Sequence, residues 1–174
     1  MNKLEQKLRR SIADVPDFPR TGILFRDITP VLASAELRRE IAEAFVNRYH
    51  DAGISAVVGV ESRGFIFGVS LADALGVAFV PIRKPGKLPR AVYQQTYELE
   101  YGVDTLEIHK DALTPSDTVV IVDDLLATGG TAVATCKLVA QTGAQIHECA
   151  FVIELEDLKG REALPAPAFA LVRY

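Results

Sequence analysis

The most informative segment of the chain reads Val119-Val120-Ile121-Val122-Asp123-Asp124-Leu125-Leu126-Ala127-Thr128-Gly129-Gly130-Thr131. It opens with apolar, β-branched residues, which predict a strand buried on both faces. Two acids and a glycine-rich turn follow, and a helical pattern then runs to Thr142. A strand, a turn and a helix in this order form the repeating unit of a parallel α/β sheet.

The same order recurs on both sides of this segment. Upstream, an apolar run at 56–60 precedes a helical pattern at 65–75 and a second apolar run at 77–82, while downstream strands are predicted at 145–153 and 169–172. A further amphipathic helix is predicted over 35–52. We therefore predict one α/β domain over residues 1–174, with a central, mostly parallel twisted sheet flanked by helices and a binding site beyond the carboxyl ends of the strands.

Composition narrows the classes of function. The chain has 174 residues, is 49% hydrophobic and carries a net charge of -4, which argues against a general nucleic-acid surface. No apolar run approaches the roughly 20 residues of a membrane span, and no signal peptide is visible, so we expect a cytoplasmic protein without membrane association. The two cysteines, Cys136 and Cys149, are expected to be small buried side chains rather than a disulfide or a metal site.

Residues 123–131 have the chemistry of a sugar-phosphate site. Glycines allow a ligand close to the backbone, and a helix start offers free N–H groups and a positive dipole end. The hydroxyls of Thr128 and Thr131 add donors, which suits a phosphate monoester. Asp123 and Asp124 would repel a phosphate, but they can accept hydrogen bonds from sugar hydroxyls and favour positive charge at a sugar carbon. A solvated turn and a plain tight connection are the alternatives for the separate parts.

Positive charge is concentrated in Arg83-Lys84-Pro85-Gly86-Lys87-Leu88-Pro89-Arg90, which could hold an anionic leaving group, although a solvated basic loop is the alternative. Regular patterns break down between about 84 and 104, where we predict a flexible lid loop. Glu61-Ser62-Arg63-Gly64 follows the first buried strand, so its N–H groups and Arg63 should face the same crevice. Arg63 as an ordinary surface residue is the alternative.

Four segments together carry a resemblance to a known family. The acid and glycine segment resembles the phosphoribosyl pyrophosphate signature of the type I phosphoribosyltransferases. The other three segments are similar to the adenine-specific branch of that family: Phe18-Pro19-Arg20-Thr21-Gly22-Ile23-Leu24-Phe25-Arg26-Asp27-Ile28-Thr29-Pro30, Glu61-Ser62-Arg63-Gly64-Phe65 and Tyr97-Glu98-Leu99-Glu100-Tyr101-Gly102. The resemblance runs from about residue 14 to the C-terminus, and Thr21 departs from it where the family often has proline.

The resemblance implies that the chain transfers a phosphoribosyl group from phosphoribosyl pyrophosphate to adenine, giving AMP and pyrophosphate in purine salvage. It implies a homodimer and Mg²⁺ held through substrate and waters, with no direct protein ligand to the metal. It also implies a small N-terminal hood over about residues 1–33 and a cis peptide at Glu61–Ser62.

Individual roles also follow from the resemblance. The implied catalytic residues are Glu100, Asp123 and Asp124. Phosphate and ribose contacts are implied for Asp123, Asp124, Ala127, Thr128, Gly129, Gly130 and Thr131, and pyrophosphate contacts for Ser62, Arg63, Arg83, Lys84 and Lys87. Adenine contacts are implied for the Leu24 carbonyl, the Arg26 N–H, Phe25 and Leu125, and Tyr101 would close the lid.

Two alternatives remain. The chain could use another base, such as hypoxanthine, guanine, xanthine or orotate, but a backbone carbonyl and N–H that fit adenine would be left unpaired by a 6-oxopurine. It could also be a phosphoribosyl pyrophosphate sensor that has lost catalysis. The chain has no added basic segment for DNA, and it keeps Glu100 and both basic loops, which favours an enzyme.

Overall fold

The structure, a computed structural model, describes residues 2–98 and 102–174. The helices are α1 Lys3–Ser11, α2 Thr29–Ala33, α3 Ala35–Tyr49, α4 Arg63–Leu75, α5 Gly130–Thr142 and α6 Gly160–Ala163, with a 3-10 turn at Glu156–Leu158. The strands are β1 Ala13–Pro16, β2 Leu24–Asp27, β3 Ala56–Val60, β4 Ala78–Ile82, β5 Val92–Glu98, β6 Val103–His109, β7 Thr118–Leu126, β8 Gln145–Glu154 and β9 Ala168–Arg173.

Within the described residues, five parallel strands form the central sheet, in the order β4-β3-β7-β8-β9. The predicted parallel α/β architecture is confirmed. β7 lies in the middle of the sheet, and its residues from Val119 to Val122 are fully buried. Its neighbours β3 and β8 cover both of its edges, which explains why the segment is apolar without alternation.

Apolar clusters cover both faces of the sheet. One cluster packs α5 and the inner side of β6 against one face, through residues such as Leu138 and Ile108. The other packs α1, α3 and α4 against the opposite face, through Leu8, Phe45 and Leu71. Cys136 and Cys149 are buried free thiols in the first cluster, as predicted. The two-sided cover leaves the ends of the strands as the place for a site.

Two segments differ from the sequence prediction. The stretch predicted as an irregular lid loop contains part of a β-ribbon, because β5 and β6 pair antiparallel from Val92 with His109 to Glu98 with Val103. The central strand was expected to stop before the acids, but β7 continues through Asp123 and Asp124 to Leu126, which pairs with Glu154 of β8. The acids therefore sit on a strand, a more rigid support than a turn.

The predicted N-terminal hood contains a second ribbon. Strands β1 and β2 pair antiparallel, with Val15 opposite Phe25 and Pro16 opposite Leu24. No helix in the described ranges 2–98 and 102–174 is long and apolar enough to cross a membrane.

A buried ion pair ties α3 to β8. Glu148 of β8 is buried, and it accepts hydrogen bonds from Arg48 Nε (2.6 Å), Arg48 Nη2 (2.7 Å) and the Tyr49 hydroxyl (2.7 Å). Burial alone would raise the pKa of Glu148, but the bonds from Arg48 and Tyr49 outweigh it and hold that pKa below the usual value of 4.5. The ionised form of Glu148 thus stabilises the fold.

We predict that Glu148→Gln lowers the free energy of unfolding at pH 7 by roughly 1–3 kcal/mol, less than for a fully buried pair because Arg48 is partly exposed. A lowered folded-state pKa stabilises the protein above pH 4.5, and this contribution is lost as pH falls through the folded pKa. The wild type should therefore lose stability below pH 4.5 more steeply than the variant, as measured by urea unfolding. The exposed Glu162→Gln is the control, and equal slopes for Glu148→Gln and wild type would contradict the prediction.

Candidate active site

The glycine segment forms one wall of a cleft of about 350 Å³ at the carboxyl end of the sheet. Asp123, Asp124 and all five residues from Ala127 to Thr131 line it. Gly129 adopts φ 88°, a left-handed conformation that favours glycine, and α5 begins at the next residue. The free N–H groups of the first turn of α5 and the positive end of its dipole therefore lie at the cleft.

The two acids have different surroundings. Asp124 is buried, at 6% exposure, and its Oδ2 accepts a hydrogen bond from Arg63 Nε. Asp123 Oδ1 accepts the Asp124 backbone N–H at 2.8 Å. Desolvation and the neighbouring Asp124 carboxylate raise the pKa of Asp123 well above the usual aspartate value. Asp124 is thus paired with a cation, whereas ionisation of the Asp123 carboxyl is unfavourable at this position. Positive charge in the cleft would offset that cost.

The Glu61-to-Gly64 segment forms the adjoining wall. Its first peptide, Glu61–Ser62, is cis, as the family resemblance implies, and Ser62 and Arg63 line the cleft. A Cβ atom on Gly64 would lie 2.7 Å from the Val122 carbonyl oxygen and 3.0 Å from Asp123 Oδ1. Glycine is therefore required where α4 starts against β7.

The three residues of the 83–90 loop that were predicted to bind pyrophosphate are not equivalent. Lys84 lines the cleft and pairs with Asp104 on the β5–β6 ribbon. Arg83 donates from Nε to Glu61 Oε2 at 3.1 Å and, like Lys87, is not among the lining residues. Of the three, the structure brings only Lys84 to the cleft, and Arg83 instead holds Glu61.

The β5–β6 ribbon supplies cleft residues that the sequence prediction missed: Tyr97, Asp104 and Leu106. The Tyr97 hydroxyl lies 3.2 Å from Thr131 Oγ1 and 3.3 Å from Asp104 Oδ2. The sequence does contain one turn signal for the ribbon, because Gly102 lies between Tyr97 and Asp104 and glycine is common in hairpin turns. Glu100 and Tyr101, predicted as the proton-handling acid and the lid tyrosine, lie outside the described residues.

A second cavity, of about 460 Å³ and mainly apolar, adjoins the first. Of the residues predicted to contact adenine, Phe25, Arg26 and Leu125 line this cavity, whereas Leu24 is not among its lining residues and is 47% exposed. The other lining residues are Val15, Phe18, Asp27, Ile28, Thr29, Arg63 and Asp124. Arg63, Asp124 and Leu125 line both cavities, so a ligand could place a polar part in one and a flat apolar part in the other.

The side chain of Arg26 points to the C-terminal strand. It pairs with Asp14, and its guanidinium carbon lies 4.0 Å from the centre of the Tyr174 ring. Its backbone N–H is the group predicted to read the base, so this anchoring fixes β2 without occupying that N–H. Opposite Leu24 stands Pro16, which has no N–H to give to the Leu24 carbonyl.

No group of three or more His, Cys, Asp or Glu side chains in the described parts of the chain is placed to hold a metal ion. Asp123 and Asp124 line the cleft together with the glycine loop, and Arg63 pairs with Asp124. A metal in this cleft would need most of its ligands from substrate oxygens and water, which is common for Mg²⁺.

Comparison with known proteins agrees with this geometry. The profile of the family described as phosphoribosyl transferase domain matches residues 28–169. The adenine phosphoribosyltransferase of Francisella philomiragia is 55% identical over 96% of this chain and 97% of its own length. That of Colwellia psychrerythraea is 52% identical over 100% of this chain and 98% of its own length.

Similar solved structures point to the same family. The adenine phosphoribosyltransferase of Thermoanaerobacter pseudethanolicus superposes with a TM-score of 0.93 at 45% identity, covering 97% of this chain and 99% of its own. The Saccharomyces cerevisiae enzyme, solved with adenine and an imino-altritol bisphosphate, also gives 0.93 at 45% identity, covering 98% of this chain and 99% of its own. These comparisons agree with the acid pair, the glycine loop and the two adjoining cavities. The chain therefore belongs to the adenine phosphoribosyltransferase family.

Proposed function

We propose that the two cavities transfer the 5-phosphoribosyl group of phosphoribosyl pyrophosphate to adenine, giving AMP and pyrophosphate in purine salvage. The observation that carries the proposal is the shared wall of Arg63, Asp124 and Leu125 between a polar and an apolar cavity. The sugar carbon that reacts must lie between its phosphate and its base, and this wall is where the two cavities meet.

The sugar phosphate would occupy the loop from Ala127 to Thr131. Backbone N–H groups at the start of α5 and the hydroxyls of Thr128 and Thr131 would donate to its oxygens. Asp123 and Asp124 would accept hydrogen bonds from the ribose hydroxyls and stabilise the positive charge that develops at C1 as pyrophosphate leaves. Positioning and charge stabilisation carry this reaction, and no covalent enzyme intermediate is needed.

Pyrophosphate would lie against Ser62, Arg63 and Lys84, which line the polar cavity. Lys84 would exchange its ion pair with Asp104 for the ligand. Arg83 and Lys87, predicted from sequence to bind pyrophosphate directly, stay predictions; from its bond to Glu61, Arg83 would shape the loop. Mg²⁺ would be held by substrate oxygens and waters near Asp123 and Asp124, where it would neutralise charge on the leaving group.

Adenine would lie in the apolar cavity between Phe25 and Leu125. The Leu24 carbonyl would accept from its amino group, and the Arg26 N–H would donate to a ring nitrogen. Pairing with Pro16 supports the first role, because that register leaves the Leu24 carbonyl without a donor from its partner residue. Glu100 as the proton-handling group, Tyr101 as the lid residue, the homodimer and the cytoplasmic location stay predictions.

The substrate prediction is tested with purified protein, phosphoribosyl pyrophosphate, Mg²⁺ and one base at a time. We expect AMP from adenine, and a 6-oxopurine should react at least about 100-fold less efficiently, because its O6 would face the Leu24 carbonyl and its N1–H would face the Arg26 N–H, so that neither hydrogen bond could form. Nucleotide formation is followed by chromatography. Turnover of hypoxanthine but not adenine would make this a phosphoribosyltransferase for another purine, and binding without turnover of any base would make it a sensor.

The acids are tested one at a time. Asp123→Asn and Asp124→Asn should each lower kcat by about 10- to 1000-fold, because each removes charge that stabilises the transition state, while both variants keep a cooperative thermal unfolding transition. Asp123 has a raised pKa, so it is protonated and inactive at low pH. The rate should therefore rise with pH above the usual aspartate range in wild type, and that limb should be absent from Asp123→Asn. Near-normal rates in both variants would remove the pair from the mechanism.

A comparison of Lys84→Gln with Arg83→Gln tests the assignment of the basic loop. Lys84 faces the cleft and Arg83 does not, so Lys84→Gln should weaken pyrophosphate binding by about 10-fold or more through loss of a charge-assisted contact. Arg83→Gln should have a smaller effect on binding and a larger one on stability, since it removes the ion pair with Glu61 and leaves that carboxylate with the Lys84 backbone N–H. Calorimetric titration with pyrophosphate and Mg²⁺ measures binding, and thermal unfolding measures stability. A stronger binding defect in Arg83→Gln than in Lys84→Gln would instead favour the sequence prediction that Arg83 binds pyrophosphate directly.

A further inference from the structure

The rear of the glycine loop meets an unusual surface, the backbone of another glycine. Gly160, at the start of α6, is buried and is not among the residues that line the cleft. A Cβ atom on Gly160 would lie 2.1 Å from the Ala127 carbonyl oxygen and 2.9 Å from the Gly129 nitrogen. A Cβ atom on Gly129 would in turn lie 2.7 Å from the Gly160 carbonyl oxygen. Two backbones are therefore in direct contact, and neither position has room for a side chain.

The support behind this contact is firmly held. Arg161, next to Gly160, donates from Nε to Glu154 Oε1 at 2.8 Å and from Nη2 to Glu154 Oε2 at 2.5 Å. Glu154 is buried at 4% exposure and ends β8, where it pairs with Leu126 of β7. The hydrogen bond from Arg161 is the main reason why the pKa of Glu154 lies below its usual value. The segment that carries Gly160 is thus fixed to the same strand end from which the glycine loop departs.

The loop on the other side is less constrained. Thr128 is exposed, and Ala127 is only partly buried, and both face the open cleft. The Arg161–Glu154 ion pair holds α6 to β8, whereas the Ala127–Gly129 turn borders the open cleft. An added methyl group at Gly160 would therefore push Ala127 and Gly129 toward the cleft rather than displace α6.

We propose that Gly160 is a positioning residue for the sugar-phosphate site, whose bare backbone supports the Ala127–Gly129 turn from behind and sets where the loop N–H groups point. The inference rests on the proposed function, since it takes the loop to hold the phosphate of a phosphoribosyl ligand. It explains why glycine is needed in a segment far from the cleft in sequence and absent from its lining. Gly160 touches no reacting atom, so its role is exerted through Ala127 and Gly129.

The test is Gly160→Ala with ribose 5-phosphate and adenine as separate probes in calorimetric titration. Relief of the contact needs a loop shift of about 1 Å, and misplacement on that scale should weaken ribose 5-phosphate binding and raise the KM for phosphoribosyl pyrophosphate by about 10- to 100-fold. The apolar cavity does not include residues 127–131, so adenine binding should change by less than about 3-fold.

Gly143→Ala is the matched control. Gly143 has φ 85°, and a Cβ atom there would lie 2.9 Å from the Pro115 ring, so this substitution also costs stability, but it lies at the far end of α5. We expect Gly143→Ala to lower the thermal midpoint without changing ribose 5-phosphate binding. Equal loss of binding in the two variants, or unchanged binding in Gly160→Ala, would overturn the proposal.

Arg161→Gln covers the case in which Gly160→Ala does not fold. It loosens α6 without adding atoms at the contact, and it should weaken ribose 5-phosphate binding several-fold while leaving adenine binding intact; unchanged affinity for ribose 5-phosphate would overturn the proposal. The outcomes are separate from those of the proposed function. Wild-type protein that makes no AMP would refute the function, whereas the binding comparison still decides the role of Gly160.

Discussion

Parallel pairing of β7 with β3 on one side and β8 on the other connects the chemistry of this protein to its core. The pairing buries residues 119–122 completely, and it directs the strand ends toward one edge of the sheet. Asp123 and Asp124 lie near the carboxyl end of β7, and the glycine loop begins directly after that strand. The Glu61–Arg63 segment leaves β3 beside it. Each half of the cleft is therefore placed by strands that cannot shift without disrupting the core.

The electrostatics follow from this placement. A chain with a net charge of -4 must bind a substrate that is itself strongly anionic. Within the described residues, the positive groups at the cleft are Arg63, Lys84 and the N–H groups at the start of α5. Arg63 pairs with Asp124, and Lys84 pairs with Asp104. In the function we propose, an anion would exchange these ion pairs for its own rather than fill an unpaired basic surface.

Local sequence patterns predicted the elements that depend on local burial. The β-branched run at 119–122 and the helix stop at Gly143 were both evident, because each follows from the chemistry of a few adjacent residues. The extension of β7 to Leu126 was not, since it depends on pairing with Glu154 of β8. The β5–β6 ribbon was also missed, because Tyr, Gln and Thr give a weak apolar alternation and the ribbon is stabilised by packing against α5.

The residues of the candidate site were likewise predictable from sequence only in part. Asp123, Asp124 and the residues from Ala127 to Thr131 were predicted, and the structure gathers all of them in one cleft. Among Arg83, Lys84 and Lys87, spacing along the chain could not reveal that Glu61 engages Arg83 while Lys84 faces the cleft. Tyr97 and Asp104 reach the cleft only through the ribbon register. Gly160 had no local signal, because its constraint is a contact with residues more than thirty positions away.

The central claim is that the loop after β7 holds the sugar phosphate while the adjoining apolar cavity holds the base. A crystal structure of the protein with AMP tests it most directly. We predict the phosphate within hydrogen-bond distance of the N–H groups of residues 128–131, the ribose hydroxyls on Asp123 and Asp124, and adenine between Phe25 and Leu125. A phosphate bound at the Arg83–Lys87 loop, or a base outside the apolar cavity, would contradict the account.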